Sequence, residues 1–213
     1  MMPDIKICGL STNDAVDAAV TAGASHVGFV FFAPSPRNVA AAQVAALIAH
    51  APSNVTSVGV FVDPDDALLD DAVSAGLDAI QLHGRETPER IAGIRRRFRL
   101  PVWRAVGVAT RDDIHSAIAT TRGVADMLLF DAKAPSGSTL PGGNGVRFDW
   151  RLLDGVRPDI AWGLSGGLDA STIAEAVSAA RPPLVDVSSG VEDEPGVKSV
   201  GKIRAFIEAV RRT

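Results

Sequence analysis

Two patterns of apolar residues alternate along the chain. Short runs of β-branched and aliphatic residues alternate with longer segments whose apolar residues recur at helical spacing. The runs predict eight strands, at 5–8, 26–32, 56–62, 78–83, 101–106, 125–131, 160–165 and 184–189. Strands that alternate with helices in this way predict βα units and a parallel sheet.

Short signals at the ends of the helical segments agree with this division. Four residue pairs predict helix starts: Ser11 with Asp14 and Thr110 with Asp113 as capping boxes, and Asp63-Pro64 and Thr87-Pro88 as a capping side chain before an initial proline. Three glycines that each precede a strand predict helix ends in the left-handed conformation: Gly23, Gly76 and Gly123.

The spacing of the strands predicts the fold class. Strand onsets recur every 20 to 35 residues or so, which is the length of one βα unit. Eight units without a linker or a break in composition predict a single-domain (β/α)8 TIM barrel over residues 1–213. An open doubly wound sheet is the alternative, but it would carry G-x-G-x-x-G after its first strand, and "KICGLSTND" lacks that motif.

Composition narrows the class of protein. Hydrophobic residues make up 46% of the chain and charged residues 22%, as is typical of a globular protein with a large core. A net charge of −4 gives no general attraction to nucleic acid or to an anionic membrane. A single cysteine excludes an intramolecular disulfide, and His26, His50 and His115 lack the spacing of metal ligands. With no signal peptide and no 18-residue apolar span, we expect a cytoplasmic protein.

Two glycine- and serine-containing loops follow the last two predicted strands. "SGG" contains Gly166 and Gly167, and "SSG" contains Ser188, Ser189 and Gly190. Both could be ordinary turns. The loops after strands seven and eight are, however, the usual phosphate site of a TIM barrel, where backbone N–H groups face the anion. The pair of loops at this position therefore predicts phosphate binding.

Four polar residues at other strand ends are candidates for catalysis or binding, and each has a structural alternative. Cys8 ends the first strand and is either a small buried hydrophobe or a base facing the site. Asp131 ends the apolar run "MLLF" and is either a loop cap or a desolvated acid. Arg37, between two prolines, is either a surface residue or the ligand of a carboxylate through two parallel hydrogen bonds. His83 is either structural or catalytic.

The alternation of side chains along strands places one more pair of residues together. Lys6 and Cys8 face the same way, as do Asp186 and Ser188. Because strands one and eight are neighbours in a closed barrel, we expect a buried ion pair between Lys6 and Asp186 beneath the site.

Seven segments in order resemble the phosphoribosylanthranilate isomerase family of tryptophan biosynthesis: "KICGL", "GFVFFAPSPRNV", "DAIQLHG", "LFDAK", "PGGNGVRFDW", "LSGGL" and "DVSSGVEDEPGVKS". The resemblance covers nearly the whole chain. It implies an Amadori rearrangement of N-(5-phosphoribosyl)anthranilate to 1-(2-carboxyphenylamino)-1-deoxyribulose 5-phosphate, without a cofactor or metal. The implied partner is this phosphosugar-anthranilate substrate, and we expect a monomer or a homodimer.

The resemblance also implies residue roles. Asp131 matches the family's general acid, which protonates the furanose ring oxygen, and Cys8 matches its general base, which removes the C2′ proton. Arg37 matches the ligand of the anthranilate carboxylate, and the two loops match the phosphate site. We expect His83 and Asp186 to be further substrate-binding residues. The long loop 132–146, rich in Gly, Ser and Pro, is either a lid that excludes water or a mobile surface loop.

Three other functions are alternatives. The histidine-pathway isomerase runs the same rearrangement on the same fold, but it has an aspartate where this chain has Cys8, and its two halves repeat more clearly. A Schiff-base aldolase would use Lys133 as its amine. A non-catalytic phosphosugar-binding protein would need no thiol at Cys8.

Overall fold

Eight parallel strands form a closed barrel in the computed structural model, which describes residues 2–213. The strands are β1 (Asp4–Cys8), β2 (His26–Phe31), β3 (Thr56–Phe61), β4 (Ala79–Leu82), β5 (Val102–Val108), β6 (Met127–Ala132), β7 (Ala161–Leu164) and β8 (Leu184–Val187). They are hydrogen-bonded in chain order, and β1 pairs with β8 in a register that sets Lys6 opposite Asp186. The predicted TIM barrel is confirmed.

Seven α-helices surround the barrel: α1 (Asn13–Ala22), α2 (Ala41–His50), α3 (Asp66–Ser74), α4 (Pro88–Phe98), α5 (Arg111–Thr121), α6 (Ile173–Ala180) and α7 (Val200–Arg211). The connection from β6 to β7 holds only a 3₁₀ turn, Trp150–Leu153, where the sequence pattern predicts a full βα unit. Three prolines and several glycines between β6 and β7 disfavour a long helix there. A short antiparallel hairpin of β9 (Glu192–Glu194) and β10 (Val197–Lys198) follows β8.

Most of the predicted helix signals are confirmed. Thr110 and Asp113 form a capping box at α5, and Thr87 caps α4 with Pro88 in its first turn. The three predicted glycines at helix ends have φ of 101°, 96° and 74°, respectively: Gly23, Gly76 and Gly123. These left-handed residues stop each helix just before the next strand.

Two predicted helix starts are wrong. Helix α1 is capped by Thr12, whose hydroxyl accepts from the N–H of Ala15, and not by Ser11. Helix α3 is capped by Asp65 rather than Asp63. The carboxylate of Asp63 instead accepts a hydrogen bond from the N–H of Arg85, 22 residues along the chain. This long-range hydrogen bond competes with helix capping for the carboxylate of Asp63, and the local sequence does not reveal it.

The barrel interior is layered from an apolar floor to a polar mouth. A buried apolar cluster fills one layer: Val58, Ala79, Trp103, Ala105, Leu129 and Leu184. A second cluster of Cys8, Val30 and Val60 lies in a different layer. Lys6, fully buried at 0% exposure, is among the largest of the completely enclosed side chains. Polar groups therefore enter the interior beside Cys8, where a TIM barrel places its active site.

Candidate active site

A cleft at the carboxyl ends of the strands is lined by both predicted acid–base residues, Cys8 and Asp131. Cys8 ends β1 and Asp131 lies near the end of β6, three strands away around the barrel. Arg37 and His83 line the same cleft. The space in and above the cleft is about 520 Å³, part of which is open to solvent. The structure therefore brings the four candidates from distant parts of the chain to one place.

Cys8 lies beside the ammonium group of Lys6. A side-chain carbon at Gly28 would lie 2.9 Å from Cys8 Sγ and 3.0 Å from Lys6 Nζ, so the glycine leaves room for both groups. Burial raises the pKa of the Cys8 thiol, and the positive charge of Lys6 opposes this rise without cancelling it. The thiol form therefore predominates at neutral pH, and the thiolate that is present is stabilised by Lys6.

The predicted ion pair between Lys6 and Asp186 is present. Lys6 Nζ donates to Asp186 Oδ1 at 3.0 Å, and both side chains are buried. Burial favours the neutral amine, but charge and hydrogen-bonding interactions with Asp186 and Cys8 together outweigh burial and raise the pKa of Lys6. Lys6 thus stays an ammonium under the thiol. Asp186 also lines the cleft.

Asp131 is held by the backbone and faces His83. Its Oδ1 accepts a hydrogen bond from the N–H of Ala132 at 2.7 Å, and its Oδ2 lies 3.2 Å from His83 Nε2. The alignment of His83 Nε2 with this oxygen is too poor for a hydrogen bond. A side-chain carbon at Gly142 would collide with the His83 ring and lie 2.7 Å from Asp131 Oδ2. The loop after β6 therefore passes directly over the carboxyl group.

Arg37 makes the predicted two parallel hydrogen bonds to a carboxylate. The carboxylate is, however, that of Glu192 in the protein itself. Its Nε and Nη2 donate to Glu192 Oε1 and Oε2 at 2.7 and 2.8 Å. Nη2 also donates to the carbonyl of Gly143 at 3.3 Å. Within residues 2–213 the Nη1 group donates to no protein acceptor, so it is the part of the guanidinium left for a ligand.

Glu192 and Lys198 extend this pairing and were missed in the sequence. Lys198 Nζ donates to Glu192 Oε1 at 2.6 Å and to the carbonyl of Ser188 at 2.9 Å. Burial would raise the pKa of Glu192, but hydrogen bonds and charge from Arg37 and Lys198 outweigh it and lower that pKa. The network connects the Arg37 end of the cleft to the loop after β8. The turn signal "EPG" between the two residues predicts a hairpin and could have drawn attention to them.

A second cleft adjoins the first and contains four of the predicted phosphate residues: Gly166, Gly167, Ser188 and Ser189. Six lining residues belong to both clefts: Asp131, Gly142, Gly143, Ser165, Asp186 and Ser188. The two clefts are thus one continuous groove. Gly166 and Gly167 have φ of 85° and 67°, conformations that favour glycine. Their N–H groups, and that of Ser189, donate to no acceptor among the described residues.

Gly190 has a different position from the other four. It does not line the groove, and a side chain there would collide with the carbonyl oxygen of Leu168. The glycine therefore lets the loop after β8 pack against the loop after β7. Its contact with phosphate stays a prediction. No group of three or more metal-ligating side chains occurs in the part of the chain that the structure describes.

Comparisons with known proteins identify the family. Residues 5–209 match the family described as N-(5'phosphoribosyl)anthranilate (PRA) isomerase. The chain belongs to this family. It is 51% identical over 212 residues to the N-(5'-phosphoribosyl)anthranilate isomerase of Paramagnetospirillum magneticum, covering 99% of this chain and 98% of that protein. It is also 51% identical to the enzyme of the same name from Zymomonas mobilis subsp. mobilis, covering 97% of each.

Solved structures of the family have the same barrel. The phosphoribosyl anthranilate isomerase of Thermotoga maritima has a TM-score of 0.88 and 34% identity, with 100% of both chains covered. A phosphoribosyl anthranilate isomerase in complex with reduced 1-(o-carboxyphenylamino)-1-deoxyribulose 5-phosphate has a TM-score of 0.85 and 33% identity, also over 100% of both chains. The predicted family and its isomerase activity in tryptophan biosynthesis are confirmed. The roles of individual residues stay predictions.

The alternatives derived from the sequence are disfavoured by this family membership. Lys133, the candidate amine of an aldolase, lines the groove on its phosphate side. Its backbone N–H donates to the carbonyl of Val108 at 3.1 Å, which continues the β5–β6 pairing beyond the end of β6.

Across residues 2–213 no helix is long and apolar enough to span a membrane.

Proposed function

We propose that Cys8 is the general base and Asp131 the general acid of the Amadori rearrangement of N-(5'-phosphoribosyl)anthranilate. The observation that carries this proposal is that the two side chains line one cleft from separate strands, with an ammonium group beside the sulfur. A general acid and a general base on facing walls can act on adjacent atoms of one substrate.

The two residues act in sequence. Asp131 gives its proton to the furanose ring oxygen as the C1′–O bond breaks, and the nitrogen lone pair forms a C1′=N bond that leaves positive charge on the nitrogen. The Cys8 thiolate then removes the C2′ proton. The electrons of the C–H bond form a C1′=C2′ double bond, and the nitrogen becomes neutral. The resulting enol-amine gains a proton at C1′ and loses the hydroxyl proton to become the ketone.

This order needs a thiolate and a protonated carboxyl group together, the reverse of their acidities in water. Lys6 stabilises the thiolate, as its position beside Sγ requires. The charge of Lys6 therefore favours the thiolate that this working state requires.

The substrate extends along the continuous groove. Arg37, held by Glu192, binds the anthranilate carboxylate through its remaining Nη1 edge. The N–H groups of Gly166, Gly167 and Ser189 bind the phosphate. His83 and Asp186 contact the sugar between these ends, since both line the cleft that also contains Cys8 and Asp131.

Loop 132–146 closes over the reacting atoms. Leu140, Pro141, Gly142 and Gly143 all line the cleft, and Gly143 accepts a hydrogen bond from Arg37. A closed loop excludes water, which would otherwise hydrolyse the Schiff base. This placement supports a lid more than a mobile loop without function.

Four expectations about the whole protein stay proposals. They are a single domain over residues 1–213, a cytoplasmic location, the absence of a nucleic-acid partner, and a monomer or homodimer. One solved relative, from Thermotoga maritima, is described as monomers generated from a dimeric isomerase. Sedimentation measures the oligomeric state of this chain directly.

The test measures turnover of the substrate, and the loss of anthranilate-type fluorescence reports its rate. Cys8→Ala and Asp131→Asn should each lower kcat by about 100-fold or more, because general acid–base assistance contributes roughly 10²- to 10⁴-fold per group. KM should change little. Asp159→Asn is the matched control, since Asp159 is exposed and pairs with Arg122 far from the groove. Wild-type kcat in either active-site variant would contradict the assigned role.

A further inference from the structure

Gln81 is a buried amide in the active-site cleft whose oxygen has no partner. It lies in β4, is 2% exposed and lines the cleft together with Cys8 and Asp131. Its Oε1 accepts no hydrogen bond from any group in residues 2–213. An unsatisfied buried polar atom is destabilising, so this position is poor for stability unless a ligand supplies the donor.

The strands on either side do not supply that donor. In the sheet register Gln81 lies opposite Val60 of β3 and Trp103 of β5. Val60 packs in the apolar cluster with Cys8 and Val30. Neither Val60 nor Trp103 donates to the amide oxygen, and Gln81 lines the cleft.

His83, two residues further along the chain and just past the end of β4, makes a useful comparison. Its Nε2 is also unsatisfied, and His83 lines the same cleft. His83 already has a neighbour in Asp131 Oδ2 at 3.2 Å. Gln81 has no such neighbour, so its acceptor is the one that needs a group from the substrate.

We infer that Gln81 Oε1 accepts a hydrogen bond from the anilino N–H of the substrate and stabilises the positive charge that this nitrogen carries in the Schiff base. The inference rests on the proposed roles of Cys8 and Asp131. The nitrogen is bonded to C1′, the carbon between the ring oxygen that Asp131 protonates and the C2′ proton that Cys8 removes. It therefore lies beside the reacting atoms, in the cleft that Gln81 also lines.

The reaction gives this contact its value. Hydrogen bonds to charged donors are about twice as strong as neutral ones, and the nitrogen is charged only after ring opening. Gln81 thus binds the intermediate more tightly than the substrate, which raises kcat rather than lowering KM.

The experiment compares Gln81→Met with the wild type. Methionine keeps the length of the side chain and removes the acceptor. We expect kcat to fall roughly 10- to 100-fold with a nearly unchanged KM. Because the change also removes an unsatisfied polar atom, the melting temperature should be unchanged or higher. Gln43→Met is the control, since Gln43 is the only other glutamine and is exposed on α2. Gln81→Glu, which keeps an oxygen acceptor, should regain part of the lost kcat.

Four outcomes would overturn the inference: wild-type kinetics in Gln81→Met, a raised KM with unchanged kcat, a lowered melting temperature that accompanies the loss of activity, or no recovery in Gln81→Glu. A raised KM alone would assign Gln81 to a sugar hydroxyl bound equally in all states. Cys8→Ala, measured in parallel with Gln81→Met, distinguishes a failure of the proposed function from a failure of the role of Gln81. Full activity in Cys8→Ala defeats the proposed function, whereas its loss together with an active Gln81→Met defeats only the role of Gln81.

Discussion

Removing the charge of Lys6 tests how the thiolate is formed. Lys6 Nζ and Cys8 Sγ both lie close to one point beside Gly28, at 3.0 and 2.9 Å, respectively. They are therefore within about 6 Å of each other, and at an effective dielectric constant of about 20 their attraction is worth about 3 kcal/mol. Lys6→Met should accordingly reduce the thiolate present at a given pH by about 100-fold.

The sign of the pH dependence follows from burial. Since burial raises the pKa of Cys8, the thiolate is the minor form at neutral pH, and its amount grows as the pH rises. The rate of alkylation of Cys8 should therefore increase with pH in the wild type. Loss of Lys6 should move this increase to higher pH.

The assay is alkylation by iodoacetamide followed by mass spectrometry. It reports on Cys8 alone because the chain has one cysteine. Lys6→Met leaves Asp186 buried without its partner, which is destabilising by about 3–5 kcal/mol. The double variant Lys6→Met with Asp186→Asn keeps the site neutral, and it controls for unfolding. The comparison is with Asp186→Asn alone, because the charge of Asp186 raises the pKa of Cys8. An alkylation profile of the folded double variant that coincides with that of Asp186→Asn would refute the role of Lys6.

Two further predictions concern residues that hold the site together. Glu192→Gln should raise KM more than it lowers kcat, because Arg37 loses the carboxylate that orients it; Glu208→Gln on the exposed face of α7 is the control, and an unchanged KM would show that Arg37 is oriented without Glu192. Gly142→Ala should lower kcat with little change in melting temperature, because the added methyl meets His83 and Asp131 and displaces the loop. Gly93→Ala, where no atom lies within 4 Å of the new methyl, should keep wild-type kinetics.

The fold could be predicted from the sequence because its signals are local. Strand periodicity and the glycines that end helices depend on neighbouring residues, and both are confirmed. The ion pair of Lys6 with Asp186 could also be predicted, since strand parity and barrel closure together fix it. The wrong cap at Asp63 has the opposite cause, because a residue in the next loop determines what its carboxylate binds.

The site residues that the sequence analysis missed can be recognised only from the folded structure. "VEDE" contains three carboxylates, and nothing local shows that Glu192 is the one that turns inward to Arg37, 155 residues away. Gln81 looks like an ordinary strand residue, and only the absence of a donor around it within residues 2–213 distinguishes it. Contacts between distant segments, and unpartnered buried groups, arise from tertiary packing, and the local sequence pattern does not reveal them.

The polar groups inside the barrel do not stabilise the fold, so their presence there needs another explanation. A buried ion pair is often no better for stability than hydrophobic residues of the same volume, and an unpaired amide is worse. Yet Lys6 with Asp186 lies beneath Cys8, and Gln81 lies between apolar neighbours of the same cleft. These groups all converge on the cleft in which the proposed mechanism places a thiolate and a positively charged nitrogen. Under that mechanism, stabilisation of those two charges is the reason that such groups occupy the mouth of this barrel, whereas the apolar core between strands and helices stabilises the fold.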